Sequence, residues 1–171
     1  MAIHITPFTK SAKVKASTKD GLIYIIKQEL KRQGPDADLN HIDVFEVTDM
    51  SFLLYGFCVH NIKINMWDVS NVKTMEGMFY ELSRFNCDLS GWNVSNVENM
   101  NGMFRFCENF NSDLSSWNVS NVENMFAAFN GCSTFTGNGL ENWDVSNVDN
   151  MVNMFYGCKD FNCDLSKWDV S

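Results

Sequence analysis

Apolar and polar residues recur along the chain with a spacing of 25 or 26 residues. The most regular segment pairs a tryptophan with a valine two positions later, as in WDVSNV from Trp67 and WNVSNV from Trp92. A degenerate copy with isoleucine in place of tryptophan begins at Ile42. Alternation with period two is typical of a strand that is buried on one face. We therefore predict a short strand in each unit, at Trp67, Trp92, Trp117, Trp143 and Trp168.

A second apolar pattern follows each of these segments and has the spacing of a helix. Met100, Met103, Phe104 and Cys107 lie at i, i+3, i+4 and i+7, which would place them on one face of an α-helix. Equivalent residues recur in the other units. The pattern predicts a short helix in the second half of every unit.

The two patterns together predict the architecture. Because no single unit can bury its own apolar face, the units must stack to form a common core. The L-x-x-W-x-V segments meet the L-x-x-L-x-L part of the leucine-rich-repeat signature. We predict an α/β solenoid, a leucine-rich-repeat-like right-handed stack of strand–turn–short helix units. It would span residues 39–171, with units starting near residues 39, 64, 89, 114, 140 and 165.

Residues 1–38 are predicted to form an N-terminal helical cap on this stack. Weak alternation over residues 1–17 is typical of one or two edge strands. An amphipathic helix is predicted over about residues 19–33, because Ser17 and Thr18 precede it and Gly34 with Pro35 ends it. Charge differs between the two parts of the chain. Residues 1–40 carry +3 and the remainder −11, which gives the formal net charge of −8.

Composition narrows the classes of function. A chain of 171 residues, 45% of them hydrophobic, has the size and core of one domain. Its acidic balance argues against nucleic-acid binding, and no apolar run is long enough for a membrane span. All five tryptophans, eight of the fourteen phenylalanines and eight of the ten methionines occupy fixed repeat positions. They are therefore predicted to be core residues rather than a stacking surface.

Aspartates recur at two further positions of the unit. They form two columns of like charge, which repel unless each carboxylate has a local partner. One interpretation is an Asx-type hydrogen bond that each carboxylate accepts from the nearby backbone. The other is an acidic strand face that binds a basic protein partner or Ca²⁺. The candidate partner-binding residues are Asp68, Asp88, Asp113, Asp144, Asp164 and Asp169.

Asparagines and cysteines also recur, and both have structural explanations. An asparagine at each turn is expected to form a hydrogen-bonded ladder between neighbouring turns. Six cysteines without a C-x-x-C motif are expected to be free core thiols rather than disulfides or zinc ligands. The predicted structural ladder comprises the five tryptophans together with Asn71, Asn96, Asn121 and Asn147.

The sequence carries no motif of an enzyme. Its three histidines, His4, His41 and His60, lie outside the regular repeats. There is no glycine-rich phosphate loop, no Ser-His-Asp ordering and no H-E-x-x-H motif. We predict no catalytic residues, no cofactor and no metal site.

The string FNxDLSxWNVSNVxNMxxMF is similar to the 25/26-residue repeat of bacterial surface proteins, as found in BspA-like and mycoplasma-type lipoproteins. The resemblance covers roughly residues 18–171, including a lead-in that resembles the opening of such arrays. It implies a non-enzymatic repeat protein on the cell surface, with adhesion or host contact as its role. The N-terminal MAIHITPFTK has neither a signal h-region nor a lipobox cysteine, which favours a cytoplasmic protein or a trimmed sequence.

Two functional hypotheses follow. The first is a protein-interaction module that presents its strand face to a partner, whose identity the sequence does not give. The second is a structural or assembly element. In that case the uncapped C-terminal unit, which ends in a strand-like WDVS, would pair with a second copy to form a homodimer.

Overall fold

The computed structural model describes residues 13–171, and regular secondary structure makes up little of it. The elements are strand β1 (Val14–Lys15), helix α1 (Lys19–Gln33), strand β2 (Ile42–Asp43) and a 3-10 helix (Leu140–Asn142). β1 and β2 form a two-stranded parallel sheet in which Val14 pairs with Ile42. β1 lies in the segment where edge strands are predicted, whereas residues 1–12 of that segment lie outside the described residues.

Helix α1 occupies the range that the sequence predicts. The Thr18 side chain caps it by accepting a hydrogen bond from the Gly21 N–H (3.1 Å). Gly34 ends it in a left-handed conformation (φ 84°) and donates its N–H to the Leu30 carbonyl. Leu22 and Ile26 are fully buried, so the helix packs its apolar face against the first units.

Lys19 also fastens the start of α1 to the next segment. Its Nζ donates to Asp49 Oδ2 (2.9 Å) and to Ser51 Oγ (2.8 Å). The cap is therefore held by ionic contacts as well as by burial.

The tryptophan segments alternate between buried and exposed residues, but they are not strands. Trp92 and Val94 are buried while Asn93 between them is exposed, as predicted. The parallel bridges between units lie elsewhere, in a row that joins Asp49, Thr74, Asn99, Asn124 and Asn150. The predicted strand at each tryptophan is therefore wrong for residues 67–171. Only the degenerate copy at Ile42 forms a strand, because β1 lies beside it.

The predicted short helices are also absent from the described residues, because the methionine segments form consecutive turns. Hydrogen bonds from residue i+3 to residue i start at every second position, at Met100, Gly102 and Phe104. Gly102 and Phe106 have positive φ (56° and 63°), the conformation that the third residue of a type II turn requires. A right-handed helix cannot contain such residues. The i, i+3, i+4, i+7 pattern does not distinguish the two structures, since the consecutive turns also bury those residues.

The same turns connect one unit to the next. The N–H groups of Met100, Gly102, Phe104 and Phe106 donate to carbonyls of the following unit at 2.7–2.9 Å. Alternate N–H groups thus point along the direction of stacking, and most backbone hydrogen bonding in this segment runs between units. These bonds between units pair the backbone N–H and C=O groups of the segment without a sheet or a helix.

The core consists of two interleaved phenylalanine columns. Phe79, Phe104 and Phe129 stack at centroid separations of 5.2 and 5.4 Å. Phe85, Phe110 and Phe135 form the second column, and Phe110 lies 4.0 Å from Phe104. These rings are at most 2% exposed. Each unit therefore completes the core of its neighbours.

Candidate interaction surface

The six candidate aspartates lie in exposed loops and not on strands. Each Oδ1 accepts a hydrogen bond from the backbone N–H two residues later, for example Asp113 from Ser115 at 2.9 Å and Asp68 from Ser70 at 3.1 Å. This is the Asx-type bond of the first interpretation. The others make the same bond, namely Asp88, Asp144, Asp164 and Asp169.

In Asp88, Asp144, Asp164 and Asp169 hydrogen bonds to the turn stabilise the charged form of the carboxylate and lower its pKa. The Ser90 backbone N–H holds the pKa of Asp88 below its usual value, and the Ser166 backbone N–H does the same for the pKa of Asp164. The Ser146 hydroxyl, which donates to Asp144, lowers the pKa of Asp144. One oxygen of each carboxylate is thus committed to its own turn. Over residues 13–171 no group of three His, Cys, Asp or Glu side chains is arranged to hold a metal ion.

The ladder residues bond from unit to unit. Asn96 Nδ2 donates to the Ser70 carbonyl and Asn121 Nδ2 to the Ser95 carbonyl, both at 2.7 Å. Asn71 and Asn147 make the equivalent bonds to Phe45 and Ser120. In each of these hydrogen bonds an asparagine side chain donates to a backbone carbonyl in the turn of the preceding unit.

The tryptophans form a second ladder inside the stack. The Trp92 indole donates to the Ile64 carbonyl (3.1 Å) and the Trp117 indole to the Leu89 carbonyl (3.0 Å). Trp67, Trp143 and Trp168 repeat the contact with Leu39, Leu114 and Leu140. Both ladders therefore have structural partners within the stack.

All six cysteines are free thiols. The Cys107 and Cys132 thiols are buried and donate to the carbonyls of Phe79 and Phe104, each at 2.9 Å. Burial raises the pKa of both thiols well above the usual value, and it raises the pKa of Cys158 to about 11. Such thiols are poor nucleophiles, so this column is part of the core.

An exposed aromatic cluster is the feature that sequence reasoning missed. It comprises Phe52, Tyr55, Tyr80 and Phe106, which come from three successive units. Phe52, Tyr55 and Phe106 are 47%, 50% and 37% exposed, and Tyr80 is half-buried between them. Centroid separations are 5.3 Å for Tyr55–Tyr80 and 6.0 Å for Tyr80–Phe106. The rings thus form one continuous apolar surface.

Arg105 lies within this cluster. Its Cζ is 4.9 Å from the Phe106 ring centroid and 5.7 Å from that of Tyr80, within cation–π range. Among residues 13–171 no side chain forms a salt bridge with Arg105, and its buried Nε has no hydrogen-bond partner. A cleft of about 370 Å³ opens beside it, between Tyr80, Asn101 and Phe126. We call it the Arg105 cleft.

Glycines and acidic residues shape the surroundings of this cleft. A side chain at Gly77 would overlap the ring of Phe52. Glu76 accepts hydrogen bonds from the Asn99 and Asn101 amides at 3.2 and 3.0 Å. Burial, followed by the negative charge of Glu81, raises the pKa of Tyr80. Tyr80 is therefore a neutral phenol at neutral pH.

A signal for the cluster was present in the sequence. Phe52 and Phe106 are among the phenylalanines that occupy no fixed repeat position, while Tyr55, Tyr80 and Arg105 share a position that Asn130 and Tyr156 occupy later. Aromatic residues outside the apolar columns are therefore the sequence signal for the cluster. Their contact with one another depends on the stacking of the units.

No helix within residues 13–171 is long and apolar enough to cross a membrane.

Comparison with known proteins places the chain in a family. No curated protein and no solved structure shows significant similarity to it. A family model described as "Mycoplasma protein of unknown function, DUF285" matches residues 27–139 and again residues 115–171. The mycoplasma-type part of the resemblance seen in the sequence is thereby confirmed. Since the two matches together cover most of its length, the chain belongs to this mycoplasma repeat family of unknown function.

Proposed function

We propose that the protein is a non-enzymatic protein-interaction module that binds its partner through the exposed aromatic cluster. The observation that carries this proposal is the cluster itself, in which aromatic side chains from three units meet at the surface. Contiguous apolar surface on a soluble domain is a mark of a binding site. Tyrosine and arginine are also among the residues that contribute most to interfaces.

The stacked units would provide a rigid support for this surface. Each cluster residue is attached to a turn whose backbone is hydrogen-bonded to the next unit, as at Phe52 N to Glu76 O (2.7 Å) and Phe106 N to Asn130 O (2.7 Å). A rigid support lowers the entropy lost on binding. We propose that the stack is a right-handed leucine-rich-repeat-like solenoid of BspA-like type. Its role would be adhesion or host contact at a cell surface.

The acidic columns support the proposal less well than the cluster. Each candidate aspartate uses one oxygen in its own turn, although all six remain exposed and charged. They would contribute to the choice of partner through long-range attraction more than through direct contact.

Three matched variants test which surface binds. We would cross-link the wild type and each variant to proteins of host and native extracts and quantify recovery of each captured protein. Tyr80→Ala removes the centre of the cluster and Asp113→Lys reverses one charge of the acidic columns. Tyr24→Ala serves as the control, because Tyr24 is a tyrosine of helix α1 that is 65% exposed and lies outside both surfaces.

We expect a partner that Tyr80→Ala loses and the other two variants retain. Loss with Asp113→Lys alone would assign binding to the acidic columns instead. Equal recovery by all four proteins would contradict the proposal.

The alternative function is assembly through the last described unit. Val152 and Tyr156, in the unit that starts near residue 140, and Val170, in the segment that follows residue 165, are 60%, 74% and 73% exposed. A second copy could cover them. Light scattering at two protein concentrations tests this, since a monomer at both would contradict assembly.

A further inference from the structure

Building on the proposed function, we propose that the Arg105 cleft binds an acidic side chain of an extended peptide segment in the partner protein. Apolar residues next to that side chain would pack on the aromatic cluster. The peptide carboxylate would pair with the Arg105 guanidinium, and its neighbours would contact Tyr80 and Phe106.

Arg105 has no partner of opposite charge in the part of the chain that the structure describes. The guanidinium is half-buried against two aromatic rings, yet over residues 13–171 it has no carboxylate within salt-bridge distance. Its Nε–H is shielded from solvent and donates to no acceptor in the described part of the chain. A buried donor without a partner costs free energy, and a ligand in the cleft would meet the terminal NH2 groups of the guanidinium rather than the shielded Nε. The planar guanidinium matches a carboxylate in bidentate geometry.

The charge around the cleft favours a carboxylate over a phosphate. Within the described part of the chain, Arg105 is the only cationic residue that lines the cleft, while Glu76 and Glu81 lie close by. One guanidinium can balance a single negative charge. Phosphate sites recruit clusters of arginine, and the two glutamates would repel a dianion.

The lining of the cleft favours a peptide over a glycan. Among residues 13–171, Asn101 is the one amide side chain in the cleft, and its Nδ2 already donates to Glu76. The several hydroxyls of a sugar would therefore find few partners. Rings of Phe52, Tyr55 and Phe126 form the remaining walls, together with Gly102. A cleft of about 370 Å³ holds a few side chains of an extended segment.

The test uses a phage-displayed library of random dodecapeptides, panned against the whole chain and counter-selected on Arg105→Gln. Selected peptides are then measured by fluorescence anisotropy. We expect peptides with Asp or Glu beside an apolar residue, and a loss of about tenfold in affinity for Arg105→Gln. Arg105→Lys should bind with intermediate affinity, since it keeps the charge but not the planar fork.

Two controls and a double-mutant cycle make the result specific. Arg84→Gln removes an exposed positive charge outside the cleft, and Tyr24→Ala removes a tyrosine of helix α1 that is 65% exposed and does not line the cleft. Both should bind as the wild type does. Changing the peptide Asp to Asn should weaken binding to the wild type about tenfold and to Arg105→Gln hardly at all, because the two groups act as a pair.

Several outcomes would overturn this inference. The panning could yield no peptide whose binding depends on Arg105, or the selected peptides could contain no acidic residue. Tighter binding when phosphoserine replaces the peptide Asp would also contradict the inference. Arg105-dependent binding on a glycan array would assign the cleft to sugars instead. If a captured partner depends on Tyr80 but no peptide depends on Arg105, the proposed function stands and this inference fails.

Discussion

The protein contains two sets of aromatic residues with opposite relations to the repeat. The buried phenylalanine columns take one residue from each unit, so Phe79, Phe104 and Phe129 have nearly identical surroundings. The exposed cluster combines Tyr55 and Tyr80, which share a repeat position, with Phe52 and Phe106, which lie at positions without other aromatic residues, and no other part of residues 13–171 shows the same arrangement. Residues that follow the period build the stack. Residues that depart from it give one surface a distinct chemistry.

The largest effect should come from the pair Phe104→Ala and Phe106→Ala. Phe104 is 1% exposed and stacks on Phe79, Phe110 and Phe129, so its removal should lower the free energy of unfolding by about 3–5 kcal/mol. Phe106 lies two residues away but is exposed, and its loss should cost less than about 1 kcal/mol. Urea unfolding measures both. Equal losses would show that the cluster also holds the fold together.

The next effect should come from Trp117→Phe, which removes the indole N–H of the inner ladder but keeps an aromatic ring in the core. The Leu89 carbonyl loses its indole donor and keeps only the Trp92 N–H (3.0 Å), and a buried side chain becomes smaller, so we expect a loss of about 1–3 kcal/mol. Trp168→Phe is the matched control, because Trp168 is half-buried and water can replace its bond to Leu140. A loss as large at Trp168 as at Trp117 would contradict this account. Thermal unfolding of both variants gives the answer.

A smaller effect should separate Gly77→Ala from Gly102→Ala. The two glycines have nearly the same φ (54° and 56°), so each alanine should cost about 1–2 kcal/mol of backbone strain. Only at Gly77 does the new methyl group also meet the Phe52 ring. We expect Gly77→Ala to be the more destabilising and Phe52→Ala to remove the difference. Urea unfolding measures the difference in free energy of unfolding between Gly77→Ala and Gly102→Ala, and this difference reports how firmly the Phe52 ring is held. Equal destabilisation by the two variants would mean that the ring moves freely.

The smallest effect should be a local response of the cluster to acid. Asp49 Oδ1 accepts the Ser51 N–H (2.7 Å) and so holds the turn that carries Phe52. Burial raises the pKa of Asp49, but the Ser51 and Lys19 hydrogen bonds outweigh it and the pKa lies below the usual 3.8. The stabilisation is therefore complete above pH 3.8 and is lost as the pH falls through the lowered pKa.

NMR signals of the Phe52 ring should consequently shift below pH 3.8 while tryptophan fluorescence stays constant. Asp49→Asn should abolish the shift. Simultaneous change of both signals in the wild type would mean that the cluster and the core unfold together.

The sequence predicted local features better than the connections between them. Helix α1 was predictable because Thr18 caps it and Gly34 ends it, and both signals act within a few residues. The burial of Trp92 and Val94 was predictable from alternation. The strands and short helices were wrong because the same apolar spacing fits consecutive turns. Only the positive φ at Gly102 and Phe106 distinguishes those turns from a helix.

The interaction surface was harder to predict, for a related reason. The aspartate columns can be recognised in the sequence alone because the aspartates recur at the spacing of the repeat. The aromatic cluster exists only once Tyr55, Tyr80 and Phe106 are stacked beside one another. Phe52 and Phe106 also lie at repeat positions that hold no other aromatic residue, so the periodicity does not reveal them.

The hydrogen bonds that run from turn to turn also determine how the protein should respond to force. Pulling on the two ends along the stack loads one junction between units before the next, since each turn bonds to the unit that follows it. The chain should then come apart in steps. Each released unit of 25 residues would lengthen it by roughly 80–90 Å when fully extended. A molecule held at both ends would thus lengthen gradually under load, because the outermost unit unfolds while the remaining units stay folded.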